Sequence, residues 1–156
     1  MKLPSVARPA ELTLQSTEVF REWAPMVLRF CRLFLGNWDL AEEATKRAFA
    51  HFLRERGATP QGTPVPLLTC AFRESRSLST RVPNLPHPLE AAILRLDEMV
   101  RGVFILHTAL SIQMPWVASI VGIPHDEATH AFAKALIDIR DFLLPTGYLK
   151  ERRNDL

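Results

Sequence analysis

Residues 114–140 read MPWVASIVGIPHDEATHAFAKALIDIR, and this stretch decides how the C-terminal part of the chain is expected to fold. Gly122 divides it into two segments whose apolar residues recur at helical spacing. Glycine tolerates the positive φ that a tight turn between two helices requires, and Ala118 is a small residue where the second helix would cross the first. The stretch therefore predicts a helix-turn-helix.

The second helix of such a motif normally carries the contacts to DNA. Between residues 126 and 139, Lys134 is the only Lys or Arg, and it stands among three acidic residues. Non-specific affinity for DNA grows with the number of phosphates that a protein neutralises. This helix is therefore expected to bind DNA weakly. The side chains best placed for contacts are Thr129, His130 and Lys134.

The rest of the chain shows helical spacing of apolar residues and no convincing strand or hairpin signal, which predicts an all-α protein. Residues 78–88 contain three prolines and are interpreted as a linker between two small helical domains. The second domain would be a four-helix domain that contains the helix-turn-helix. The expected ranges are a flexible leader (1–15), the first domain (16–77), the linker (78–88), the second domain (89–144) and a tail (145–156).

Within the first domain the pattern predicts three helices. Pro25 is expected to start or kink the first helix and Gly36 to end it. Asp39 is expected to cap the second helix at its N-terminus. Trp23 and Trp38 are interpreted as residues that pack at the edge of the core.

The charge distribution is uneven although the 156-residue chain carries a formal net charge of only +2. Residues 1–89 contain 12 Lys or Arg and 8 Asp or Glu, whereas residues 90–140 contain 4 and 6. A net charge this close to zero does not by itself indicate a nucleic-acid-binding protein. The basic excess lies in the first domain, and the helix-turn-helix lies in the acidic part.

Several classes of function find no support in the sequence. It contains no Gly-rich phosphate loop, nucleophile elbow or metal-binding spacing, so no enzyme activity, catalytic residue, metal or cofactor is expected. Cys31 and Cys70 lie among apolar residues and are interpreted as buried free thiols in a reducing compartment. The N-terminus lacks a signal-peptide core and no apolar stretch is long enough to span a bilayer. A cytoplasmic protein without membrane insertion is expected.

Residues 17–143 resemble an RNA polymerase sigma factor of the extracytoplasmic-function group in the sigma-70 family. The stretch AEEATKRAF (41–49) is similar to the family pattern AED-L-V-Q-E-V-F, and PLLTCAFRESRS (66–77) stands where the family has its third helix. Residues 94–140 follow the family's helix-turn-helix domain without a gap. The positions retained there, mostly scaffold positions, are Leu96, Arg101, Val103, Phe104, Leu106, Ala118, Ile120, Gly122, Ala135 and Arg140.

The resemblance implies a divergent sigma factor that binds core RNA polymerase and directs it to promoters. In the family, the first motif docks on a coiled coil of the polymerase clamp. Here Lys46 replaces the family's Gln, and Arg47 replaces an acidic residue. The implied polymerase-binding residues are Glu42, Glu43, Lys46, Arg47 and Phe49.

The resemblance also implies contacts to promoter DNA. On and after the third helix, the residues that would attract DNA are Arg73, Arg76 and Arg81. Phe72 is the main aromatic residue nearby that could receive an unstacked base. Glu74 stands where the family has Asn. Thr129, His130 and Lys134 would contact duplex DNA.

A second interpretation is a sigma-like protein-interaction module that has lost DNA recognition. Such a module would bind polymerase or a regulator such as an anti-sigma factor. Trp116 replaces the Glu of the family's EIA sequence, and an exposed Trp is often a protein contact. The short linker and the apolar faces on both sides of it predict a compact free chain. A single undivided bundle or a β-sheet layer would argue against the sigma-factor interpretation.

Overall fold

The computed structural model describes residues 9–56, 63–79 and 87–146. All regular structure within these ranges is helical and no strand occurs in them, which confirms the all-α prediction. Residues 80–86 of the predicted linker, with Arg81, and residues 147–156 of the predicted tail lie outside the described ranges. The α-helices are α1 (Pro9–Leu35), α2 (Trp38–Arg56), α3 (Val65–Leu78), α4 (Pro88–Leu94), α5 (Glu98–Phe104), α6 (Met114–Val121) and α7 (His125–Leu143).

Helix α1 begins earlier than predicted and continues past the proline that was expected to start or kink it. It begins at Pro9, within the predicted leader, and it runs through Pro25 to Leu35, so Pro25 does not start it. Proline suits the first turn of a helix, but inside a helix it removes a backbone hydrogen bond. Packing on both sides of Pro25 offsets this loss, because Trp23 and Val27 are both buried.

The turn between α1 and α2 is built by Gly36 and Asn37. Gly36 has a φ of 67° and donates its N–H to the carbonyl of Arg32 at 2.9 Å. The side-chain oxygen of Asn37 accepts the N–H of Leu40 at 3.0 Å, which satisfies a donor that the helix start leaves free. The prediction that Asp39 caps α2 is therefore wrong by two positions, because α2 already begins at Trp38.

The N-terminal helices (α1–α3) pack on one another, and so do the C-terminal helices (α4–α7). The two groups are also in contact, because α1 and α3 touch α4, α6 and the π-helical turn Ile105–Ala109 that follows α5. Buried side chains of both groups belong to one hydrophobic cluster. Its largest fully buried members are Phe30, Phe34, Leu35, Leu67, Leu68, Ile105, Leu106 and Ile120.

Two glycines allow the close contact between the groups. A Cβ added to Gly102 on α5 would lie 2.5 Å from Cε2 of Phe72 on α3. A Cβ added to Gly36 would overlap the side chain of Leu94 on α4. Real Cβ atoms do not approach other atoms this closely, so a larger residue at position 102 would displace the Phe72 ring, and one at position 36 would displace the end of the Leu94 side chain.

No helix in the described ranges is both long enough and apolar enough to cross a lipid bilayer. The longest, α1, carries several charged residues beside its buried apolar ones, among them Arg21, Glu22, Arg29 and Arg32.

Candidate functional site

The helix-turn-helix centres on Gly122, where α6 ends and the chain turns towards α7. Gly122 adopts φ 76° and ψ 35°, the left-handed conformation predicted for this turn. Its N–H and that of Ile123 both donate to the carbonyl of Ala118, at 2.9 and 3.1 Å. A Cβ at Gly122 would meet no atom within 4 Å, so the backbone conformation alone requires glycine here.

Two of the three predicted DNA contacts on α7 bond to the backbone of their own helix. The hydroxyl of Thr129 donates to the carbonyl of His125 at 3.0 Å. Nδ1 of His130 lies 2.8 Å from the carbonyl of Asp126. Both side chains are exposed, so they can be reached from solvent. The Thr129 hydroxyl would have to exchange its bond in order to donate to DNA, whereas the bond at Nδ1 of His130 leaves Nε2 unused.

The third predicted contact, Lys134, forms an ion pair with Asp138 one turn further along α7. The hydrogen bond that the Lys134 ammonium donates to the Asp138 carboxylate raises the pKa of Lys134 above its ordinary value, so the ammonium is charged at neutral pH. Arg140 is paired in the same way with Asp141, at 2.7 Å. These pairs are exposed and weak, but they leave little net positive charge on this part of the helix.

The arginines of α3 also have acidic partners. Arg73 lies 3.9 Å from Glu55 on α2, and Arg76 lies 3.2 Å from Glu98 on α5. The second pair joins the N-terminal helices to the C-terminal helices. Both arginine side chains are about half exposed, so phosphates could compete for them.

Phe72, the aromatic residue expected to receive a base, is buried between the two groups of helices. It is 4% exposed, and its ring meets the ring of Phe34 edge to face at 5.9 Å. The guanidinium of Arg76 lies 5.6 Å from the ring centroid, and Gly102 packs against the ring edge. In this arrangement no base could stack on Phe72.

Glu74, which stands at the family's Asn, turns inward and contacts α2. Its Oε1 lies 3.1 Å from Nε2 of His51, and the residue is 9% exposed. Glu74 therefore ties α3 to α2 and does not present a carboxylate to DNA.

The predicted polymerase-binding residues on α2 divide into four surface residues and one core residue. Glu42, Lys46 and Arg47 are exposed, and Glu43 is half-buried and pairs with Arg47 at 2.7 Å. Phe49 is only 5% exposed, and its ring lies 4.9 Å from that of Phe20. Phe49 therefore holds α2 in place, and the charged residues form the surface.

Trp38 was not identified from the sequence as a surface residue, and its interpretation as a core-edge residue is wrong. It is 58% exposed at the start of α2, with the guanidinium of Arg32 lying 5.2 Å from its ring centroid. Trp23, by contrast, is 8% exposed and packs on Phe52. One feature of the sequence did indicate that Trp38 is exposed. It precedes Glu42 by four residues, about one helical turn, so the two side chains share the outer face of α2.

Potential metal ligands are scattered in the structure. Within the described ranges, no group of three or more His, Cys, Asp or Glu side chains is placed to share a metal ion. Cys31 and Cys70 are buried, and burial raises the pKa of both thiols above the usual value. At neutral pH both are protonated, which disfavours nucleophilic chemistry.

The chain matches no protein-family model, and it is not significantly similar to any of the curated proteins with which it was compared.

Proposed function

We propose that this chain is a divergent sigma factor that binds core RNA polymerase and directs it to promoters. The observation that carries the proposal is the left-handed turn at Gly122 between two packed helices. It follows three mutually packed helices in the order that the sigma-factor pattern requires. The outer face of α2 would bind polymerase, and α3 and α7 would contact DNA.

The outer face of α2 supports polymerase binding because it is accessible in the arrangement described here. Glu42 and Lys46 are exposed and have no ion-pair partner among the described residues. Among the described residues, the side chains of Glu43 and Arg47 pair with each other alone. A partner can therefore reach these four side chains without moving any other helix.

Contacts to the melted promoter strand would require the two groups of helices to separate. Gly102 covers the Phe72 ring, and Glu98 pairs with Arg76. Both of these contacts, which keep DNA away from the two side chains, come from α5. Single-stranded nucleic acids are bound by stacking on aromatic rings and by cations along the backbone. Movement of α5 away from α3 would expose the Phe72 ring and at the same time release the Arg76 guanidinium from Glu98.

These observations suggest an order of events. Polymerase would bind α2 first, because its surface is already open, and DNA would be engaged after separation. The free chain would then bind promoter DNA weakly, and the complex with polymerase would bind it well.

The proposal is tested with two measurements on the full chain. Purified core polymerase should be retained by the immobilised chain. A promoter fragment should be retarded in gels at low salt by the complex, and much less by the chain alone. Failure to retain polymerase would contradict the proposal.

The second candidate is a sigma-like interaction module that binds polymerase or a regulator such as an anti-sigma factor without reading DNA. It is favoured by the internal bonds of Thr129, His130 and Lys134 and by the single hydrophobic cluster shared by all seven helices. Exposed Trp116 would suit a protein contact. Polymerase binding without any added retardation of DNA at low salt, where phosphate contacts are strongest, would favour this candidate.

A further inference from the structure

The outer face of α2 carries an aromatic residue in line with its charged residues. Trp38, Glu42 and Lys46 are spaced four residues apart, so they follow one stripe along the helix. At 58% exposure, Trp38 is the most exposed of the large apolar side chains whose burial the structure describes. Trp is among the residues that most often dominate the binding energy of protein interfaces.

The indole of Trp38 is held by its neighbours. Arg32 lies over one face of the ring, 5.2 Å from the centroid. The same guanidinium is 3.7 Å from the carboxylate of Glu90 on α4 and is only 22% exposed. A side chain that is ordered before binding loses less conformational entropy when a partner arrives.

The charges along α2 change sign. Asp39, Glu42 and Glu43 occupy its first two turns, and Lys46 and Arg47 occupy the next. A partner helix with basic residues facing the first set and acidic residues facing the second would be electrostatically complementary. This ordered pattern also favours one orientation of the partner over the reverse.

We propose that Trp38 is the anchor of the polymerase-binding surface of α2. The free face of the indole would receive an apolar side chain from a charged helix of polymerase, while Arg32 supports the opposite face. The charges from Asp39 to Arg47 set the orientation of that helix. This inference rests on the proposed function and adds a binding residue to it.

The test is the dissociation constant of the full chain for purified core RNA polymerase, measured for matched variants. Trp38→Ala should weaken binding about 30-fold, the effect of losing an interface residue that contributes about 2 kcal/mol. Trp38→Phe should lose less, because part of the aromatic surface remains. The control is Leu144→Ala, which removes an apolar side chain of similar exposure (52%) just beyond the end of α7 and should leave binding within about twofold of wild type.

Circular dichroism and urea unfolding would verify that each variant is folded, which is expected because Trp38 lies outside the buried core and is 58% exposed. A Trp38→Ala dissociation constant within about threefold of wild type would overturn the inference and leave the proposed function standing. Absence of polymerase binding by the wild-type chain would overturn both.

Discussion

The guanidinium of Arg101 donates a hydrogen bond to the main-chain oxygen of Phe34 at 2.9 Å and lies 5.0 Å from the centroid of the same residue's ring. The two residues are 67 positions apart, so this contact joins α5 to the C-terminus of α1. Arg101 also donates to the carbonyls of Leu94 and Leu96, at 2.7 and 3.0 Å. One cation therefore satisfies acceptors at the C-terminal ends of two helices, where carbonyls lack partners within the helix.

Replacement of Arg101 is expected to be strongly destabilising. Arg101→Ala would leave Phe34 and Leu96 with unsatisfied carbonyls in a buried region, and each such group costs roughly 1–3 kcal/mol. Urea unfolding should show a loss of about 3 kcal/mol or more. Arg140→Ala is the control, because Arg140 is exposed and its one ion-pair partner in the described part of the chain is its neighbour Asp141. A loss for Arg101→Ala as small as that of the control would contradict the role given to Arg101.

Gly102→Ala should reveal the contact between α5 and α3. The new methyl group would overlap the ring of Phe72, whereas Leu at position 72 leaves more room. In urea unfolding, Gly102→Ala should lower the free energy of unfolding by about 1 kcal/mol or more beyond its effect in a Phe72→Leu background. The comparison is a double-mutant cycle. The higher helix propensity of Ala cancels in this difference.

Gly122→Ala provides the matched control for that cycle. No atom lies within 4 Å of the added methyl group, and the expected cost of about 1 kcal/mol comes from the positive φ. This cost should be the same with Phe or Leu at position 72. Equal costs for Gly102→Ala in the two backgrounds would show that Phe72 and Gly102 are not in contact in solution.

Removal of the acidic residue that pairs with Lys134 on α7 should strengthen DNA binding. Asp138→Asn frees Lys134 from its ion pair and removes a charge that repels phosphates. The complex with polymerase should then bind promoter DNA more tightly. The slope of log K against log salt should steepen by about 1 if Lys134 gains a phosphate.

Lys134→Gln should weaken DNA binding and flatten the same slope. Asp126→Asn is a useful comparison, because it removes an acidic charge from the same helix without releasing a lysine. If neither Asp138→Asn nor Lys134→Gln alters affinity or salt dependence, α7 does not lie on DNA.

Stability should fall as the pH rises above the ordinary pKa of a thiol. Burial raises the pKa of Cys31 above its reference value of 9.0, so the unfolded chain loses this proton first and is favoured at higher pH. Between pH 7 and pH 10 the wild type should lose about 1 kcal/mol more than Cys31→Ala in urea unfolding. Identical pH profiles for the two proteins would rule out a buried Cys31 thiol.

Local signals in the sequence predicted the helical class and the glycines at two of the turns, but not every helix boundary. Apolar spacing predicted the all-α fold, and Gly36 and Gly122 were recognised because a helix end with positive φ favours glycine. The cap of α2 was misplaced because Asn37 and Asp39 are both good capping residues, and only the position of the helix start distinguishes them.

The parts that could not be predicted depend on contacts between residues distant in sequence. The sequence marked Arg101 only as a position retained from the family pattern. It could not show the three carbonyls that Arg101 binds, because two of them belong to helices or turns outside its own helix and the third is 67 residues away. Whether Phe72 is exposed depends on where α5 packs, on the far side of the predicted linker. Trp38 was misjudged because aromatic residues are usually buried, whereas here the turn at Gly36 leaves it at the surface.

The central claim is that this chain directs core polymerase to promoters, and a map of transcription starts tests it most directly. Purified core polymerase would transcribe fragmented genomic DNA from the source organism, with and without the chain. The account predicts new start sites that share a sequence element and occur only when the chain is present. Indistinguishable maps from the two reactions would contradict it.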